Sequence, residues 1–152
     1  MTEVYLKDLL PIIEEKLHLG GEVTINPGGI SMEPLIKAGR DSVTLTLPSE
    51  LKKYDVVLYR RKNGQFVLHR ILGVEDGNLI MCGDNQVVLE YGIKEADIIA
   101  KMSAVIRKNK KISVNSHLYK AYSVLRVFTQ RVKAYYYKFR SSLGRLKRKI
   151  WG

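Results

Sequence analysis

Apolar residues recur along this chain with two different periods, and the changes of period divide it. Leu6, Leu9, Leu10, Ile13 and Leu17 follow three-to-four spacing, which predicts a helix with Glu14, Glu15 and Lys16 on its other face and Gly20-Gly21 as its stop. Pro11 is tolerated in a first turn, which favours Asp8 as the cap of this helix, the alternative being a longer helix that kinks at Pro11. From Glu22 the period becomes two. Glu22 to Ile25 reads as a short strand, and Val43, Leu45 and Leu47 alternate with Ser42, Thr44 and Thr46 in another. Val56 to Arg60 and Phe66 to Leu72 flank Asn63-Gly64, a hairpin signal in which both turn residues are expected at positive φ. Leu79 to Cys82, Ile98 to Arg107 and Ile112 to Val114 read as further strands. Short strands at close spacing, with no long helix between them, predict a mainly β domain, a barrel or a sandwich.

The helical period returns after Asn115. Leu118, Tyr122, Leu125, Val132, Tyr136, Phe139, Leu143, Leu146 and Ile150 form an apolar stripe broken only at Thr129. The chain is therefore expected to comprise an N-terminal helix (1–21), a β domain (22–114) and an amphipathic helical tail (115–152). Its 152 residues suffice for one domain with a core and are too few for two large ones.

Charge changes the picture of the tail alone. The net charge is +11, yet the ten Lys or Arg from Asn115 onward face no Asp or Glu, leaving 16 basic against 15 acidic residues before it. The body is almost neutral. A basic amphipathic helix with Tyr135, Tyr137 and Trp151 is suited to an anionic membrane surface. Packing of the stripe on the β domain or on a second copy is the competing reading, and a nucleic-acid partner is not expected. No run of about 18 apolar residues occurs, so no transmembrane helix is expected. The Met1-Thr2-Glu3 start, interrupted by Lys7 and Asp8, does not read as a secretory signal. A cytoplasmic protein, peripheral on the inner membrane face, is the expectation.

The stretch Gly28-Gly29-Ile30-Ser31-Met32-Glu33-Pro34-Leu35 sets one serine between a flexible glycine pair and a rigid proline. Such a turn can expose a hydroxyl and aim backbone N–H groups at a common point, as a nucleophile with an oxyanion hole requires. A serine hydroxyl also needs a base. His69 lies inside a strand on one face with Val67 and Ile71, whose apolar character keeps an imidazole neutral. Met81-Cys82-Gly83-Asp84-Asn85 follows. The single cysteine excludes an internal disulfide, and His18, His69 and His117 lie too far apart for a zinc pattern, so no metal or other cofactor is expected.

The ordered motifs, Gly29-Ile30-Ser31-Met32-Glu33-Pro34, then the strand with His69-Arg70, then Gly83-Asp84-Asn85, resemble the signal-peptidase family of serine proteases. The resemblance runs from about Glu22 to about Arg107, and three ordered motifs are more specific than one. It implies a coiled β-fold, with Ser31 as nucleophile and His69 as general base, the histidine type found in archaeal and endoplasmic-reticulum members. It also implies an acid that orients the histidine. By offset that residue is Glu90, with Asp84 the alternative, and Asp84 has a competing role in holding its own turn. Many members supply a second oxyanion donor from a hydroxyl two residues before the nucleophile, a place filled here by Gly29. A counterpart of the family's N-terminal membrane helix is not expected here, a departure that calls the usual substrate, an exported preprotein, into question.

The resemblance thus implies a serine endopeptidase acting on a peptide or protein substrate. Two other readings stand beside it: a non-catalytic β domain that binds peptides, and a relative of the repressor autoproteases, which pair serine with lysine. His69 stands in the lysine's place, and Lys62 lies in the hairpin loop.

Overall fold

The structure, a computed structural model, describes residues 3–130 and 132, with side chains from residue 8 onward. Helix α1 (Glu3–His18) leads into eight strands, β1 (Val23–Ile25), β2 (Asp41–Thr46), β3 (Val56–Arg60), β4 (Phe66–Glu75), β5 (Asn78–Cys82), β6 (Glu90–Ile93), β7 (Ile98–Arg107) and β8 (Lys110–Ser113), and a second helix, α2, covers 117–130. All strand pairs are antiparallel, and the described residues form a mainly β structure with two α-helices. The order across the sheet is β1-β2-β7-β3-β4-β5-β6, with β8 pairing β7. Register shifts in the β2–β7, β3–β7, β4–β5 and β5–β6 pairs are where extra residues bend and twist the strands.

Both faces of the central strand β3 are covered, which is why Val56, Val57, Leu58 and Tyr59 are all buried rather than alternating. Val56 and Leu58 join Val43, Leu45, Met102 and Val105 in one core, closed by Ile13 and Leu17 of α1. Val57 and Tyr59 join Ile71, Leu79, Met81 and Ile93 in the other. Met32 and Ile36 belong to the first core. They anchor the turn that carries Ser31.

Two local expectations are corrected, and one strand is added. α1 begins at Glu3 and passes through Pro11, so Asp8 lies inside it and is not its cap. In the β3–β4 hairpin Gly64 alone takes positive φ (87°), because the Arg61 carbonyl accepts from Gly64 N–H in a turn that needs one left-handed residue. Strand β6, whose Glu-Tyr-Gly-Ile sequence has no alternating apolar pattern, went unread; it is held by pairing with β5 and by Ile93 in the core.

The compositional boundary near Asn115 is not a boundary in packing. Tyr119, Ser123, Val127 and Gln130 of α2 are buried against the β domain. Of the apolar stripe assigned to the tail, Leu118, Leu125 and Val132 are exposed, while Tyr122 turns inward and donates to Asp84 Oδ2 at 3.0 Å. The stripe positions from Tyr136 to Ile150 lie outside the described residues.

Candidate active site

Ser31 and His69 line one cavity of about 430 Å³, between the turn that follows β1 and the start of β4. Two unpaired strand edges border it. β1 pairs only with β2, and on β4 the pairing with β5 begins at Arg70, leaving Phe66 to His69 with β3 as their one strand neighbour. Ile25, Met32, Ile36, Leu58 and Phe66 give the cavity an apolar lining, with Arg61 and Gln86 as polar members.

The Gly83-Asp84-Asn85 turn brings the serine to the histidine. Because Arg70 stands opposite Cys82 in the β4–β5 ladder, the next residue, Gly83, arrives beside His69. A Cβ built on Gly83 would lie 2.6 Å from the Ser31 carbonyl oxygen and 3.0 Å from His69 Nε2, so only glycine allows this approach. Asn85 N–H donates to the same Ser31 carbonyl at 2.7 Å. Among the described residues neither the Ser31 hydroxyl nor its N–H has a hydrogen-bond partner, so no bond joins Ser31 Oγ to His69 here. His69 Nε2 also has no partner, yet it is not one of the fully enclosed unpaired atoms, which means that it meets the cavity.

The other ring nitrogen is held from behind. His69 Nδ1 lies 3.1 Å from Glu90 Oε1 and 3.2 Å from Tyr59 Oη. Tyr59 O–H donates to Glu90 Oε2 at 2.9 Å, Arg61 Nε donates to the same oxygen at 2.8 Å, and a second Arg61 nitrogen binds Oε1. Burial opposes the Glu90 charge, but the bonds from Arg61 and Tyr59 outweigh it and hold the carboxyl below its usual range. Burial, with Glu90 beside it, keeps the Tyr59 hydroxyl protonated and therefore a donor. An ionised carboxylate can only accept, so the proton of a neutral His69 ring belongs on Nδ1. The lone pair is left on Nε2, the nitrogen on the Ser31 side. Burial pushes the imidazole down to about 4, Glu90 opposing and Arg61 assisting, so the ring is neutral at neutral pH.

Asp84 is placed elsewhere. Its carboxylate is fully buried and pairs with Arg70, Nε to Oδ1 at 2.8 Å and a second nitrogen to Oδ2 at 2.8 Å. His69 and Arg70 are consecutive on a strand and so point to opposite faces. The histidine looks into the cavity while the arginine looks toward α2, donating to Ser123 Oγ of that helix (2.9 Å) and to Tyr54 O in the turn before β3 (2.8 Å). Arg126 binds the Asp84 carbonyl through two nitrogens, and Gln130 Nε2 donates to the Gly83 carbonyl. α2 therefore clamps the turn from behind.

The structure thus brings Ser31 and His69 to one cavity, sets Glu90 against the far side of the histidine ring and holds Asp84 in a separate ion pair. Sequence reasoning missed Tyr59, Arg61, Arg70 and the polar face of α2. An arginine within the apolar run from Val67 to Leu72 was the available signal, since a buried guanidinium requires a carboxylate. Burial pushes the Cys82 thiol up to about 11, so it is no competing nucleophile. Among the described residues no His, Cys, Asp and Glu cluster could hold a metal ion. No family model matches this chain, and no curated protein matches it in sequence.

Proposed function

We propose that the chain is a serine endopeptidase with Ser31 as nucleophile, His69 as general base and Glu90 as the acid that orients the base. The observation that carries this reading is the two-sided setting of His69: Nδ1 is fixed by Glu90, while Nε2 meets the cavity that Ser31 lines. In the reaction Nε2 takes the hydroxyl proton as Oγ attacks the scissile carbonyl, and Glu90 stabilises the imidazolium that forms. The unpaired Ser31 N–H is the available donor for the developing oxyanion. Rotation of the serine side chain, or its seating by substrate, completes the contact, since catalytic hydrogen bonds often tighten only in the complex.

The two unpaired strand edges fit an extended peptide laid between β1 and β4 by backbone pairing, with side chains directed into the apolar lining. The ordered motifs around Ser31, His69 and Gly83-Asp84-Asn85, together with the antiparallel sheet, support a signal-peptidase-like coiled β-fold of the histidine type as the finer description. A second reading, a peptide-binding domain without turnover, is favoured by one observation, the absence of a Ser31–His69 hydrogen bond.

Incubation with a diverse library of peptides, with new termini read by mass spectrometry, separates the two. The peptidase reading requires new termini from the parent chain that vanish with Ser31→Ala and with His69→Ala. Binding of peptides with no new termini would establish the second reading.

A further inference from the structure

Helix α2 has two unlike faces. Its inner face, with Tyr119, Ser123, Arg126, Val127 and Gln130, is occupied by the β domain, and its polar members tie it to Arg70 and to the Gly83-Asp84 turn. The helix cannot roll about its axis without breaking a buried ion pair's supporting bonds. Its opposite face is therefore turned away from the β domain. There Leu118, Ala121, Val124, Leu125, Phe128 and Val132 succeed one another at three-, one- and four-residue steps that fill one side of a helix, and all six are exposed. Leu118 at 85%, Phe128 at 65% and Leu125 at 61% are among the most exposed large apolar side chains of the described residues. This is not the stripe that periodicity alone gives, because Tyr122 is turned in and Val124 and Phe128 are turned out.

The charges of α2 and of the sequence after it have one sign. Lys120 borders the face, α2 holds no Asp or Glu, and the sequence from Arg131 to Gly152 holds eight Lys or Arg and no Asp or Glu. Two such faces from two copies would bring like charges together, which disfavours self-association. A nucleic acid would answer the charge but leave the apolar stripe in water. An anionic lipid surface answers both, accepting the stripe at the level of the acyl chains and the cations at the headgroups.

We infer that the outer face of α2 docks on an anionic lipid surface. This does not depend on whether the cavity is catalytic. The test uses the full chain and a Leu125→Gln/Phe128→Gln double variant, which removes apolar surface without altering charge at positions that are mostly exposed. Both are sedimented with phosphatidylglycerol vesicles and with phosphatidylcholine vesicles, and their circular dichroism is compared. The parent is expected to bind the anionic vesicles and not the zwitterionic ones, and the folded double variant to lose at least about tenfold in affinity. Equal binding by the double variant would mean that the basic tail acts alone and would overturn the inference. So would a parent that binds neither vesicle, or one that forms a lipid-free dimer abolished by the double substitution.

Discussion

His69 Nδ1 sits 3.1 Å from Glu90 Oε1, across a contact between β4 and β6, strands that are not neighbours in the sheet. β5 lies between them in strand order, yet it ends at Cys82, before the level of His69. The gap lets a β6 side chain reach the ring. Tyr59 and Arg61 then fix the carboxylate from a third strand and its hairpin, so that the tautomer of His69 is set by three separate segments.

Glu90→Gln should lower kcat by a factor on the order of 10³–10⁴ with the fold retained, because an amide can donate to Nδ1 and favour the wrong tautomer. KM should change little, since Glu90 does not line the cavity that Ser31 and His69 share. Steady-state kinetics on any cleaved peptide checks this, and an unchanged kcat would remove Glu90 from the mechanism.

Asp84→Asn should act on stability first. The substitution leaves the fully buried Arg70 guanidinium without its counter-charge, a loss of about 3–5 kcal/mol for a broken buried pair. Chemical denaturation measures it. A variant as stable as the parent but inactive would transfer the acid role from Glu90 to Asp84.

The pH dependence follows from the lowered His69 value. The free enzyme needs a neutral ring, so kcat/KM should rise with pH through about 4 and be level by neutrality, instead of rising near the ordinary 6.5. Stability carries the same sign. Between those two values the unfolded chain holds a proton that the folded one does not, so stability is full above 6.5 and falls as pH drops toward 4. Below that the carboxyls of Asp41 and Glu90 add their own losses; burial opposes their charge, but arginine bonds hold both low in the folded state. A kinetic limb near 6.5 would contradict this setting for the histidine.

Gly83→Ala should impair activity and stability together. Its methyl group would stand 2.6 Å from a backbone oxygen of the serine turn, and a backbone atom cannot step aside as a flexible side chain can. Gly29→Ala is a useful contrast. It meets nothing within 4 Å, but its φ of 76° is unfavourable for alanine, so its cost should be conformational, about 1 kcal/mol, without displacing His69.

Most strands could be read from the sequence because their apolar residues alternate, as in Val43 and Leu45, or run together, as in Val56 to Tyr59. Ser31 and His69 could be read from their local settings, a shaped turn and an apolar strand. Of the partners of His69, Glu90 was reached only through the offset that the resemblance implies, and Tyr59 not at all. Tyr59 and Glu90 reach it by register and by a strand without apolar periodicity, and neither leaves a local pattern. Helix α2 departs from the expected stripe at Tyr122, which turns in to Asp84. Its inner face is largely polar, with Ser123, Arg126 and Gln130 serving the turn, so hydrophobic periodicity tracked the outward side.

The central claim is that Ser31 attacks with His69 as its base, and the most direct measurement is the trapping of an acyl-enzyme. An N-acylated amino-acid p-nitrophenyl ester is mixed with the chain, the reaction is stopped in acid, and the adduct is located by peptide mass mapping. The account predicts one acyl group on the peptide that contains Ser31, no adduct with Ser31→Ala, and strongly slowed formation with His69→Ala. Acylation at another residue, or acylation of Ser31 at the same rate without His69, would contradict it.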